Sequence, residues 1–203
     1  MNISDLSTTD LARQLLGKKI IISQDGQLTS GYIVETEAYL GPGDMACHSF
    51  GWRRTPKVES MYEAAGMIYV YSMHGHNMLN IVTQEAGVPE AVLIRAIEPA
   101  CGVELMSERR GVTGIDVSNG PGKLCKAMGI TREFDGIMLG DDRIYIDEFH
   151  SKIPVEIGIS ARIGIPNKGE WTDAPLRFYV AGNPYVSRMP KRMMKEVNET
   201  WMK

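Results

Sequence analysis

The sequence predicts an α+β fold: a single domain over residues 1–203, with a mostly antiparallel, curved β-sheet and packed helices. Two observations predict it. Short runs of β-branched and aromatic residues are separated by turns more often than by regular helical segments, and three such runs follow closely between residues 67 and 99. No Ser/Gly linker, charge block or internal period divides the 203 residues, so one core is expected.

Taken in order, the elements begin with a helix near residues 9–17 and a strand over 19–24. Asp25-Gly26 marks a two-residue hairpin turn, and the returning strand ends at Tyr39. After a long loop, MIYVYSM (67–73) and MLNIVTQ (78–84) read as strands around a tip of His74, Gly75, His76 and Asn77. A turn at Ala86-Gly87 then leads into AVLIRAIEP (91–99), so three adjacent antiparallel strands are the simplest pairing. Helices are expected over 102–110 with Gly111 as C-cap, over 121–128, and over the amphipathic tail 190–201. RIYID, VEIGIS and LRFYV supply further strands.

No apolar run approaches the roughly 18 residues needed to cross a bilayer. The opening MNISDLSTTDLARQLLGKK lacks the basic start and apolar core of a signal peptide, so a cytoplasmic, monomeric protein without a membrane partner is expected. Cys47, Cys101 and Cys125 are odd in number and widely spaced, which does not suit a disulfide scaffold. The net charge of -3 does not suggest a nucleic-acid partner, yet the sign is uneven. Residues 133–156 hold seven acids and two bases, whereas 176–203 hold six bases and two acids. Arg53, Arg54 and Lys57 form a second basic cluster in a loop. On charge alone, a solvated surface is the better reading.

The most informative stretch is YIVETEAYLGPGDMACH (32–48). Strand alternation puts Glu35, Glu37 and Tyr39 on one face, while Ile33, Val34, Ala38 and Leu40 make the strand apolar enough to be buried. Acids there need partners. At about 3.3 Å per residue the two carboxylates lie about 7 Å apart along the backbone, so they compete for one site unless one turns away, and one of them is the working base. Tyr69 and Tyr71 share a face of the 67–73 strand, and Arg95 sits in the apolar run VLIRAI. An arginine is almost never fully buried alone, and a carboxylate such as Glu37 is the expected partner.

Several other chemistries are excluded by pattern. SNGPGKL has Val117 where a phosphate loop needs glycine and Leu124 where it needs Ser or Thr, although Lys123 beside a helix N-terminus can meet a backbone phosphate. HExxH, CxxC, PCxxC and GxSxG are absent from the sequence, and neither a metal nor a cofactor is expected.

VETEAYLGPGDMACHS, RRTPK, MIYVYSMHG, LNIV, VLIRAIEP, GPGKLCKAMGI and GEWTDAPLRFYV occur in the order seen in the alkyladenine (3-methylpurine) DNA glycosylases, which the chain resembles over roughly residues 12–188. The resemblance implies a monofunctional enzyme of base-excision repair that flips a damaged nucleotide out of double-stranded DNA and hydrolyses its N-glycosidic bond. Its substrates would be damaged purines of the 3-methyladenine, 7-methylguanine, hypoxanthine and ethenoadenine class. Glu37 matches the family's general base, Arg95 the arginine that helps hold the water, and the backbone carbonyl of Ile163 that water's third contact. Tyr39, His48 and Tyr71 match the aromatic walls, with Tyr69 close by, and Asn80 matches the residue that excludes the guanine amine. Met73, His74, Arg53, Arg54 and Lys123 are the expected DNA contacts.

One departure stands out. Between Tyr71 and Asn80 the chain is one residue shorter than the usual family hairpin and lacks the tyrosine that wedges into the minor groove, so Met73 or His74 takes that place. Lys57-Val58 also stands where the family usually has Arg-Asn. Three competing readings are a sugar glycosidase using Glu35 with Glu37, a glycosylase-lyase using Lys123, and a noncatalytic lesion-binding module.

Overall fold

In the computed structural model, which describes residues 3–203, eight strands join one sheet in which every pairing is antiparallel. Met1 and Asn2, the start of the expected 1–203 unit, lie outside the described residues. The strands are β1 (Lys19–Gln24), β2 (Gln27–Tyr39), β3 (Ile68–Met73), β4 (His76–Val82), β5 (Ala91–Cys101), β6 (Ile144–Asp147), β7 (Ile157–Ser160) and β8 (Arg177–Val180). Their order is β3-β4-β5-β2-β1-β6, with β8 also on β2 and β7 beyond β8. Three helices, α1 (Thr8–Gln14), α2 (Val103–Arg110) and α3 (Pro121–Met128), complete the expected α+β fold.

The long strand β2 organises the molecule. Its first half pairs with β1 from Gln27 to Tyr32, its second half pairs with β8 from Glu35 to Glu37, and β5 runs along its other edge from Ser30 to Tyr39. The β2/β5 register slips between Ile33 and Thr36, where Ala96 faces Glu35 and Ile94 faces Thr36, so Arg95 falls in the irregularity. A bulge bends the strand and re-aims a side chain, which curls the sheet and turns Arg95 toward the acids of β2.

Both short hairpins follow from residues that tolerate positive φ. Asp25 and Gly26 (51° and 73°) join β1 to β2, and His74 and Gly75 (50° and 77°) join β3 to β4. The second turn is tighter than the four-residue tip expected, because His76 and Asn77 already belong to β4 and Met73 pairs with His76. Helix α3 comes close to this hairpin at Gly122, where a Cβ would lie 2.7 Å from that of His76. The main core is made by Leu11 of α1 and Leu15 at its C-cap, Leu124 and Met128 of α3, and sheet residues such as Ile20, Ile33 and Ile94.

The expected helix over 190–201 does not form. Only short 3-10 turns occur, at Lys191–Met193 and Val197–Glu199, because the backbone and side chains of the tail are engaged elsewhere. Lys195 N–H donates to Gly182, Val155 N–H donates to Thr200, and the Trp201 indole is buried where its Nε1 donates to Glu98 at 2.8 Å. Long-range bonds therefore override the helical periodicity. All three cysteines are free, with Cys47 and Cys125 buried and Cys101 exposed.

Candidate active site

Glu35 and Glu37 are both completely buried on β2, yet their surroundings give them different work. Glu35 accepts from Arg95 Nε (2.9 Å), Arg177 Nε (2.7 Å), Ser187 Oγ (2.8 Å) and Ser187 N–H (2.8 Å). Four donors occupy it fully, and Arg95 is one of them. Glu37 accepts from the Ile163 N–H at Oε1 (2.7 Å) and from the Tyr39 hydroxyl at Oε2 (2.9 Å), and Arg95 Nη1 lies 3.2 Å from that same Oε2. Arg95 therefore bridges both carboxylates, where a pairing with Glu37 was expected. Burial opposes its charge, but Glu37 and Glu35 outweigh burial and hold the guanidinium more firmly protonated than usual.

The three groups that bind Glu37 also line a cavity of about 170 Å³, together with His48, Tyr69, Tyr71 and Asn80. A cavity of roughly 150 Å³ accommodates benzene, so the space suits a flat aromatic group. His48 stands edge-on to Tyr71, with ring centroids 4.5 Å apart and planes at 77°, and its Nδ1 lies 2.8 Å from the Tyr69 hydroxyl. Burial, then Arg53, lower the His48 pKa, which favours the neutral ring. Burial, then the neighbouring Glu37, push Tyr71 up to about 12, and the same causes hold Tyr39 well above its usual range. Asn80 is locked, because its Nδ2 donates to the carbonyls of Tyr69 (3.0 Å) and Met78 (3.2 Å).

Cations flank this cavity on two sides. An adjoining hollow of about 270 Å³ shares His48, Tyr69, Tyr71 and Met73 with it and adds Arg53 and Lys57. A second, of about 520 Å³, shares Arg95 and Ile163 and adds Arg110, Lys123 and Arg188. Among the described residues, no acid lines either hollow, although the chain is net negative. Arg54 is turned aside, paired with Glu59 and lying 4.7 Å over the Tyr62 ring. Lys123 is held by Asp116 (3.0 Å) and Asn119 (2.6 Å) and does not line the aromatic cavity. Met73, 44% exposed, lines the cavity mouth, whereas His74 occupies the exposed turn.

Sequence reasoning missed a further buried pair. Arg162 and Asp44 are both completely buried, with Nη2 2.9 Å from Oδ1, and the guanidinium lies 4.7 Å over the Tyr39 ring and donates to Ala38 O at 3.0 Å. The signal was present, since Arg162 interrupts ISARIGIP much as Arg95 interrupts VLIRAI. Arg177 likewise interrupts the apolar run LRFYV, whereas Ser187 carries no comparable local mark.

A buried carboxylate behind an aromatic cavity, with cationic hollows on either side, is a site for a flat ring carried on a polyanion. Comparison with known proteins specifies that class. Residues 2–184 match the methylpurine-DNA glycosylase family, and the chain belongs to it. It is thus a hydrolase acting on N-glycosyl bonds, with DNA bearing damaged bases as its substrate class. Similar curated proteins, provisionally named 3-methyladenine DNA glycosylases, include one from Staphylococcus saprophyticus, 52% identical over 99% of both chains. Another, from Staphylococcus epidermidis, is 54% identical over 96% of this chain and 95% of its own.

Proposed function

We propose that this protein, acting as a monomer, flips an alkylated or deaminated purine out of duplex DNA into the aromatic cavity. It then hydrolyses the N-glycosidic bond with a water activated by Glu37. The observation that carries this reading is that all three donors to the buried Glu37 carboxylate line that cavity. Water adds through its oxygen to C1′ while the C1′–N bond breaks; the bonding pair leaves with the base, Glu37 accepts the water's proton, and an abasic site remains. Arg95 stays charged throughout and orients the water with the Ile163 carbonyl. Tyr39, His48 and Tyr71, with Tyr69 behind, stack on the base; stacking is worth about 1–3 kcal/mol per base. Asn80 excludes the guanine amine, and Arg53 and Lys123 face backbone phosphates, while Arg54 stays paired with Glu59. The substrate class is that of 3-methyladenine, 7-methylguanine, hypoxanthine and ethenoadenine.

Free-base release from methylated DNA tests the assignment. Glu37→Gln is expected to lower the excision rate by about 10²–10⁴ while still binding a duplex with an abasic analogue. Near wild-type excision would reassign the base. Borohydride is expected to trap no adduct, which accords with the engagement of Lys123 by Asp116 and Asn119. A trapped adduct that disappears in Lys123→Ala would make the enzyme a lyase.

A further inference from the structure

The loop that follows the cavity wall at His48 turns two large rings outward, with Phe50 45% and Trp52 64% exposed. Neither ring packs on another aromatic ring or a cation among the described residues. Trp52 has a left-handed backbone, with φ of 62°, directly after Gly51 at 66°. Bulky residues rarely adopt that conformation, so the loop is shaped to present its ring. Arg53 comes next. It is exposed, makes no ion pair among the described residues, and lines the 270 Å³ hollow that shares His48, Tyr69 and Tyr71 with the base cavity.

Two exposed rings followed in the chain by an unpaired cation, which itself lines the hollow beside a base-sized cavity, match the chemistry of a nucleobase on its phosphate. In a paired duplex the faces of each base are covered by its neighbours. Only an unpaired base offers a free face to such rings. We infer that Phe50 and Trp52 form a second stacking site, for an unpaired base flanking the flipped nucleotide, with Arg53 on the intervening phosphate. This rests on the glycosylase reading above. Its consequence is tighter engagement of lesions in locally unpaired DNA than of the same lesions in perfect duplex.

The test measures affinity of the full chain, by fluorescence anisotropy, for three labelled duplexes: plain, with one tetrahydrofuran abasic analogue, and with that analogue beside a single unpaired base. The wild type is expected to bind the third about tenfold more tightly than the second, within the range one stacked base supplies. Trp52→Ala is expected to abolish that difference, Trp52→Phe to retain most of it, and Arg53→Gln to weaken binding to both duplexes alike. Trp52 is exposed, so its replacement leaves the core intact. A preference that survives in both Trp52→Ala and Phe50→Ala, or a wild type without one, overturns the second site alone. Failure to prefer either abasic duplex over plain DNA overturns the proposed base-flipping capture and this inference with it.

Discussion

The backbone N–H of Ile163 donates a 2.7 Å hydrogen bond to Glu37, 126 positions earlier in the chain. The preceding residue, Arg162, is anchored by Asp44 from the loop after β2 and covers the Tyr39 ring. One buried ion pair thus steadies two of the three groups that orient the carboxylate.

Asp44→Asn leaves the Arg162 guanidinium without its counter-charge in a site closed to water. Breaking a buried pair costs about 3–5 kcal/mol. At about 2–4 °C per kcal/mol for a chain of this size, calorimetry is expected to show Tm lower by about 6–20 °C. An unchanged Tm would mean the pair contributes nothing net.

At Asn80 the expected change is in selectivity. Its amide is held by two carbonyls and cannot swing away from an incoming amine, so Asn80→Ala or Asn80→Ser is expected to raise release of undamaged guanine relative to adenine lesions. Chromatography of released bases measures the ratio. A ratio that does not move would place the gate elsewhere.

Met73 lines the cavity mouth on the same strand face as Tyr69 and Tyr71, which makes it the residue placed to fill the gap left by a flipped nucleotide. Met73→Ala is expected to slow excision from stable pairs more than from mismatches, while His74→Ala, altered at the turn, does so less. The reverse ranking in single-turnover assays would make His74 the wedge, and equal losses on both pair types would give the hairpin a backbone role only.

His48 supplies a pH dependence. Burial, then Arg53, lower its folded-state pKa, so the unfolded chain binds the proton first as pH falls below roughly 6.5. Its contribution to stability is present above that pH and is lost as pH falls toward the folded value. His48→Gln is expected to flatten that part of the Tm-against-pH curve; parallel curves would show that the ring does not titrate in this way.

Much of this was legible in the sequence, because local physics dictated it. The β3-β4-β5 meander and the β1/β2 turn follow from alternation and turn residues, and the burial of Glu37 and its proximity to Arg95 follow from charges in apolar strands. The 190–201 segment has helical periodicity yet does not form a helix, because its partners, Gly182, Val155 and Glu98, are remote in sequence. For the same reason the occupation of Glu35 by Arg177 and Ser187, 142 and 152 positions away, left no local trace.

Because the second half of β2 is paired on both edges, by β5 and β8, the strand that carries Glu35 and Glu37 has no free side along which to yield. Its amides at Glu35–Glu37 should be among the slowest to exchange with deuterium. A platform that stiff does not mould itself to different lesions. Under the proposed mechanism, adaptation falls to the nucleic acid, and the expected advantage goes to lesions whose nucleotides rotate and unstack most readily.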